Sequence, residues 1–240
     1  MPGVTPRVEL LSYTPEPLSV IYASFRQCYH AGFVGDMWKK LLDGEIPKEK
    51  QASFIHSLIE SGHTSPIEHV SFTFAISGVS RALTHQLIRH RLASYSQQSQ
   101  RYVDGSKFEY IVPPSIAKDP KALEKFTELM ERIGEDYREL KALLESGKRT
   151  ASSIEDARFV LPQAAATNIV MTMNCRALLN FFEHRCCFRA QWEIRNVAYM
   201  MLKHCRMIIP AIFDPAGAKC ERLQYCPEGE KYTCGLYPVR

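Results

Sequence analysis

No apolar run in this sequence reaches the roughly 18 residues that a membrane-spanning helix needs, so no such helix is expected. The opening segment, MPGVTPRVELLSYTPEP, has an early Arg, acids and no apolar stretch of signal-peptide length. That sets aside a targeting segment and leaves a cytoplasmic protein as the expectation. Internal repeats and low-complexity linkers are missing too, so residues 1–240 are read as one domain with one core. Charge imbalance is slight, a net +4, which is too weak to imply a nucleic-acid partner. Close cysteine pairs are lacking in the tail, where Cys220, Cys226 and Cys234 are spaced C-x5-C-x7-C. No structural metal is expected there. Cys28, Cys175, Cys186, Cys187 and Cys205 sit in apolar or mixed helical text, where cysteine acts as a small hydrophobe and free thiols fit a reducing compartment. His63, Glu68 and His69 lack the one-turn spacing that sets two ligands on one helix face.

What is present is a mixture of strand and helix patterns. Val8 to Tyr13 reads as a short strand, and Val70, Phe72, Phe74 and Ile76 alternate with small or polar residues in a half-buried strand closed by Gly78. Ile169, Met171 and Met173 alternate in the same way. Leu18 to Tyr29, Lys48 to Ser61 (stopped by Gly62), Ser80 to His90, Cys175 to His184 and Gln191 to Met207 read as helices. The longest helix follows Asp119-Pro120, a cap with Pro at the first helical position. In it Leu123, Phe126, Met130, Ile133, Tyr137, Leu140 and Leu144 recur three or four apart. Ser152 and Glu155 have capping-box spacing ahead of a short helix through Arg158. Without a regular βαβ rhythm, the order predicts an α+β fold, a largely antiparallel sheet packed with helices.

Acidic residues disappear entirely between His69 and Val103, and Lys with them. The same span holds Arg81, Arg89, Arg91 and Arg101, interleaved with Gln86, Gln97, Gln98, Gln100, Ser94, Ser96 and Ser99. Arg offers a planar fork for phosphate or carboxylate, and amides and hydroxyls suit base edges and sugars. A phosphate-bearing ligand is one reading; a solvated basic helix end is the other. His90, between two Arg, is expected to be neutral, because like charges oppose its protonation.

The residues themselves carry a resemblance. Arg89-His90-Arg91, seven residues, then Ser99 resembles the R-H-R-x7-S signature of flavin-dependent thymidylate synthases. Gly62-His63-Thr64-Ser65-Pro66-Ile67-Glu68-His69 resembles that family's G-H-x-[ST]-P-x-E-H block. Ala157-Arg158 through Leu161-Pro162, Asn174-Cys175-Arg176-Ala177-Leu178-Leu179-Asn180, and Arg185 followed by Ala190-Gln191-Trp192-Glu193-Ile194 resemble three further blocks, in the family's order. The resemblance spans residues 60 to 195 and leaves the tail after Pro210 unassigned.

This resemblance implies an enzyme that reductively methylates dUMP to dTMP. Its carbon donor is methylenetetrahydrofolate, its cofactor FAD reduced by NADPH, and its sites lie at subunit contacts of a homotetramer. It places Gln86, Arg89, Gln97, Ser99, Gln100, Arg101, Arg158 and Arg185 on dUMP. It places His63, Ser65, Glu68, Arg89, His90, Arg91, Gln97, Asn174, Arg176 and Asn180 on FAD. Arg185 would stabilise charge developing on the uracil carbonyls. Ser99 is expected to hydrogen-bond the nucleotide, since no general base adjoins it in sequence; a nucleophile is the alternative. Asn174 has a second reading as a helix cap, and His63 as a helix C-terminal residue. Gln97 stands where many members carry Glu, and Arg189 where some carry a flavin-side His; Arg189 could meet a phosphate or point outward. The competing class is a nucleic-acid module using Arg with Tyr95, Tyr102, Phe108 and Tyr110, which the small net charge and the lack of a known binding motif disfavour. A metal-dependent nucleotide hydrolase would need carboxylate spacing that is not found.

Overall fold

The structure is a computed structural model that describes residues 3–145 and 151–240. In chain order the described elements are β1 (Arg7–Tyr13), α1 (Pro17–Tyr29), α2 (Gly35–Leu42), α3 (Lys48–Glu60), a 3-10 turn (Ser65–His69), β2 (Ser71–Ser80), α4 (Arg81–Leu87), β3 (Ala93–Gln97), α5 (Pro114–Ala117) and α6 (Pro120–Glu145). Then come α7 (Ala151–Ala157), a second 3-10 turn (Arg158–Val160), β4 (Ala166–Asn174), α8 (Cys175–Arg185), α9 (Trp192–Ile208), α10 (Pro210–Phe213) and α11 (Lys219–Leu223). The four strands pair in the order β1-β2-β4-β3, the α+β architecture that the mixed pattern predicts. No described helix is long and apolar enough to cross a membrane.

The chain divides into two compact units. One comprises the described residues of Met1–Arg7, Ala75–Arg89 and Tyr95–Val170. Its core joins Phe108, Tyr110, Met130 and Ala165, with Phe126, Ile133 and Leu161 packed against them. Helix α6 starts where Asp119 Oδ1 accepts the backbone N–H groups of Lys121 and Ala122 at 2.9 and 3.3 Å. Its Tyr137 is buried and accepts the Gly105 N–H at 3.1 Å. The stripe predicted along α6 holds through Tyr137, but Leu140 and Leu144 are exposed at 38% and 46%. Spacing alone does not reveal where the covering surface ends. Helix α7 is present, but the Ser152 side chain of the expected capping box lies outside the described residues.

The other unit comprises Val8–Phe74, His90–Ser94 and Met171–Arg240. Here Phe72 stacks between Tyr13 and Phe74 with centroids at 6.0 and 6.2 Å. Phe213 meets Phe72 and Phe182 edge-on at 5.8 and 6.0 Å. All eight cysteines of the chain are free thiols: Cys175, Cys186, Cys205 and Cys226 are buried, and Cys28 and Cys234 are exposed.

Two expectations need correction, and one strand was not expected. Gly78 does not close β2, which runs on to Ser80. It takes φ +63° within the strand, and a Cβ there would lie 2.4 Å from the Thr5 carbonyl oxygen. The helix expected over Ser80 to His90 is shorter, Arg81–Leu87, because Ser80 is its cap: Ser80 Oγ accepts the Leu83 N–H at 3.0 Å. Beyond that helix the Arg-rich stretch forms β3, which no apolar alternation announces.

Gly78→Ala is expected to cost about 1–3 kcal/mol, from left-handed strain plus the carbonyl clash. Gly44→Ala, at φ +79° with open space around it, should cost only the roughly 1–2 kcal/mol of left-handed strain. Urea denaturation of both variants checks the ordering.

Candidate active site

In the first unit, α4 ends at Leu87, and the Arg89 N–H returns to the Gln86 carbonyl at 3.3 Å. Gln86 is half-buried and Arg89 exposed. Tyr95, on β3, donates its hydroxyl to the Leu87 carbonyl at 2.9 Å, and burial pushes its phenol up to about 12. This bond ties the start of the Ser/Gln segment to the end of α4. The Gln97 carboxamide donates to Thr84 Oγ1 at 3.0 Å and to Thr167 Oγ1 at 3.4 Å, so its nitrogen is committed inward. Asn168 donates to Gln98 Oε1 at 3.1 Å, and the Gln98 backbone N–H reaches the Asn168 carbonyl at 2.9 Å.

These contacts line up one side of a polar cavity of about 310 Å³, bordered by Gln98, Ser99, Gln100, Thr167 and Asn168. Ser99 Oγ accepts the Arg101 backbone N–H at 3.2 Å, and no base hydrogen-bonds to it among the described residues. Its hydroxyl proton remains available to donate outward. Arg101 Nε is 2.8 Å from Glu155 Oε1. The half-buried Arg81 has its pKa lowered by burial and then by the nearby Arg158. Two guanidiniums held near each other in this way favour an anion between or beside them.

In the second unit, Gly62 takes φ +85° just after α3. The 3-10 turn that follows buries Pro66 and Ile67 and leaves Ser65, Glu68 and His69 exposed. Two apolar anchors thus present three polar side chains. His63 Nδ1 lies 2.7 Å from the Tyr29 hydroxyl, and Phe25 meets its ring edge-on at 5.4 Å. Glu68 accepts from Arg176 Nη1 at 2.5 Å, across 108 residues of sequence. Asn174 is the cap of α8: its Oδ1 accepts the Ala177 N–H at 2.8 Å. The alternative reading of that residue therefore describes its oxygen. Arg176 and Asn180, one turn apart and both exposed, border a cavity of about 810 Å³ with Gly62, Thr64 and Ile59.

His90 and Arg185 meet in this unit. Arg185 Nε donates to His90 Nε2 at 3.0 Å, and Phe181 stands edge-on to the imidazole at 4.9 Å. A guanidinium N–H only donates, so Nε2 is the bare nitrogen and the ring proton sits on Nδ1. Burial first, then the charges of Arg185 and His184, lowers His90 from 6.5 to about 4. The neutral form expected from sequence is found, but its cause is burial and α8 rather than the flanking Arg89 and Arg91. Burial also lowers Arg185. Arg91 is exposed. Arg189 turns to the tail: it pairs with Glu228 and lies 4.4 Å from the Tyr232 ring centroid. Cys186 is fully buried, its thiol pushed up to about 12 by burial foremost, which makes it a packing group and a poor nucleophile.

Several partners were not readable from the sequence. Tyr29, Thr84, Thr167 and Glu155 each hold a predicted residue from 13 to 70 positions away. Their only advance signal is chemical type: hydroxyls for an imidazole and an amide, and a carboxylate for a guanidinium.

With this geometry in view, the comparisons fix the class. The chain matches the family described as thymidylate synthase complementing protein over residues 9–211, and it belongs to that family. It is 68% identical to the flavin-dependent thymidylate synthase of Nitratidesulfovibrio vulgaris over 241 residues, covering 100% of this chain and 98% of that protein. Proteins of the same name from Clostridium tetani and Pyrococcus abyssi are 48% and 40% identical. The first match covers 95% of this chain and 93% of that protein, the second 96% and 93%.

The His90 ring is expected to titrate near pH 4 by histidine NMR, and to rise in Arg185→Ala while staying below 6.5, because burial persists. Between pH 4 and 6.5 the unfolded chain binds the extra proton, so this group stabilises the fold above that window and the contribution fades as pH falls through it. A midpoint at 6.5 in the native protein would contradict the assignment.

Proposed function

We propose that this protein is a cytoplasmic flavin-dependent thymidylate synthase, which reductively methylates dUMP to dTMP with methylenetetrahydrofolate as carbon donor and FAD reduced by NADPH. Family membership supports the reading. The observation that carries it is that the separated blocks meet in pairs: Arg185 reaches His90 across 95 residues, and Arg176 reaches Glu68 across 108. A solvated basic helix end has no need of such partners.

The residues present fit the cofactor. The groove beside α8 offers a guanidinium (Arg176), a carboxamide (Asn180) and a hydroxyl (Thr64), next to apolar side chains Ile59 and Leu179. That is a donor set for a flat ring joined to phosphates. When bound, the flavin supplies the redox chemistry. Arg176, Asn180, Glu68 and Ser65 would hold it, with His63, Arg89, His90, Arg91, Gln97 and Asn174 assigned to the same cofactor by resemblance.

The rest is the work of the chain. Ser99, Gln100 and the Gln98–Asn168 pair border the polar cavity suited to a nucleotide, where Ser99 donates a hydrogen bond and activates nothing. Arg101, itself half exposed and paired with the partly buried Glu155, can turn its fork to a phosphate, because a pair still open to solvent on the guanidinium side is a weak restraint. Arg158 and Arg89 add charge for the same group, and Gln86 and Gln97 position the base. Arg185, oriented through Nε by His90, keeps its terminal nitrogens for charge that develops on the uracil ring. Binding sites completed by neighbouring copies in a homotetramer account for cationic segments contributed from far apart in sequence.

Purified protein should be yellow and form dTMP from dUMP. A colourless preparation that gains no thermal stability from added FAD would refute the reading. Light scattering should report a tetramer, and an active monomer would exclude that assembly. Ser99→Ala should weaken dUMP binding by roughly 1.5–3 kcal/mol yet turn over. Arg185→Ala should lose about 10²–10³-fold in rate at saturating dUMP. Complete inactivity of Ser99→Ala with normal dUMP binding would restore a serine nucleophile.

A further inference from the structure

The family match ends at residue 211, yet the chain beyond it builds part of the large cavity in the second unit. Arg206 fixes the turn after α10, donating through Nε to the Phe213 carbonyl at 3.1 Å and through Nη2 to the Ala216 carbonyl at 2.6 Å. That turn brings Pro215, Ala216 and Gly217 to the cavity. Helix α11 then adds Arg222, whose Nη2 donates to Glu183 Oε1 at 2.9 Å. Tyr199 reaches Glu221 at 3.3 Å from α9, so α11 is held from two helices.

One cavity is therefore bordered by two guanidiniums, Arg176 from α8 and Arg222 from the tail. Among the described residues each pairs with one carboxylate, Glu68 and Glu183, and each guanidinium side chain is about half exposed, at 54% and 58%. Between them lie apolar side chains, Ile59, Leu179 and Ile212. Glu68 is 44% exposed and Glu183 28%, so both guanidiniums stay open to solvent while their carboxylates are partly covered. A phosphate offers a guanidinium fork a bidentate, charge-assisted partner.

We propose that Arg222 is a second cationic contact for the phosphate groups of the ligand in this groove, and that the segment 211–222 is a wall of the cofactor site. The proposal rests on the reading that Arg176 and Asn180 face the flavin cofactor. It assigns to the tail a binding role that lies outside the residues matched to the family.

The test is equilibrium binding of FAD and of riboflavin, which lacks phosphate, to the flavin-stripped full chain, followed by flavin fluorescence. Arg222→Gln should weaken FAD about tenfold or more, as loss of a charge-assisted hydrogen bond does, and leave riboflavin unchanged. Arg222→Lys should recover part of the loss. Glu183→Gln frees Arg222 and should leave FAD affinity equal or higher. If Arg222 merely fastens α11 to α8, Arg222→Gln and Glu183→Gln will lower the melting temperature alike, and FAD affinity will stay at wild-type level in both, which overturns the proposal. Arg176→Gln separates the two readings. If it weakens FAD and Arg222→Gln does not, the tail role alone fails; if neither variant does, the flavin assignment of the groove fails with it.

Discussion

Helix α8 is held in one rotation by its aromatic face, and the second unit's functional side chains follow from that. Phe182 packs edge-on against Phe213, which in turn meets Phe72 on β2. Cys175, Leu178 and Phe181 complete the buried stripe. With that stripe fixed inward, the helical period puts Arg176, Asn180 and Glu183 together on the other side. Asn174 fixes the helix start by capping it. Phe181 is also the wall against which the His90 ring stands, and Arg185 lies one turn further along the same helix. A change in the rotation of α8 would displace the groove residues and the Arg185–His90 bond at once.

Electrostatics follow from the missing acids. The stretch from His69 to Val103 has no carboxylate of its own, so its cations must find partners elsewhere or do without. In the first unit Arg101 borrows Glu155, and Arg81 sits near Arg158 with burial lowering its pKa. In the second, Arg185 uses a neutral imidazole, a partner that orients a guanidinium without neutralising it. An imidazole that cannot readily gain a proton keeps that hydrogen bond through the neutral pH range. A carboxylate in its place would have cancelled the charge of Arg185.

Much of the fold was legible because burial leaves a period. β2 and β4 alternate, α6 begins at an Asp-Pro signal, and α8 and α9 carry apolar stripes. β3 was not legible: Ala-Ser-Tyr-Ser-Gln is too short and too polar to show which face is buried. α2, a single amphipathic stretch with one buried residue, Leu41, was missed for a similar reason. A glycine at the end of an alternating run reads as a stop, whereas here the strand runs through Gly78 to Ser80 with a left-handed residue inside it. The candidate side chains can be listed from the sequence, but the pairs they form cannot. Nothing local to Arg185 points to His90, or to Arg176 that it meets Glu68; those pairings exist only once the strands and α8 are in place.

The distribution of sulfur divides the molecule by reactivity. Cys175 and Cys205 are sealed among apolar side chains, and burial drives both thiols well above their usual range. Thiolates are what electrophiles and peroxides attack, so these interior sulfurs behave as hydrocarbon throughout the life of the folded chain. Cys28 and Cys234 are exposed to solvent. Any oxidant in solution therefore meets sulfur first at the end of α1 and in the tail, and reaches the thiols packed within α8 and α9 only through an opening of the fold.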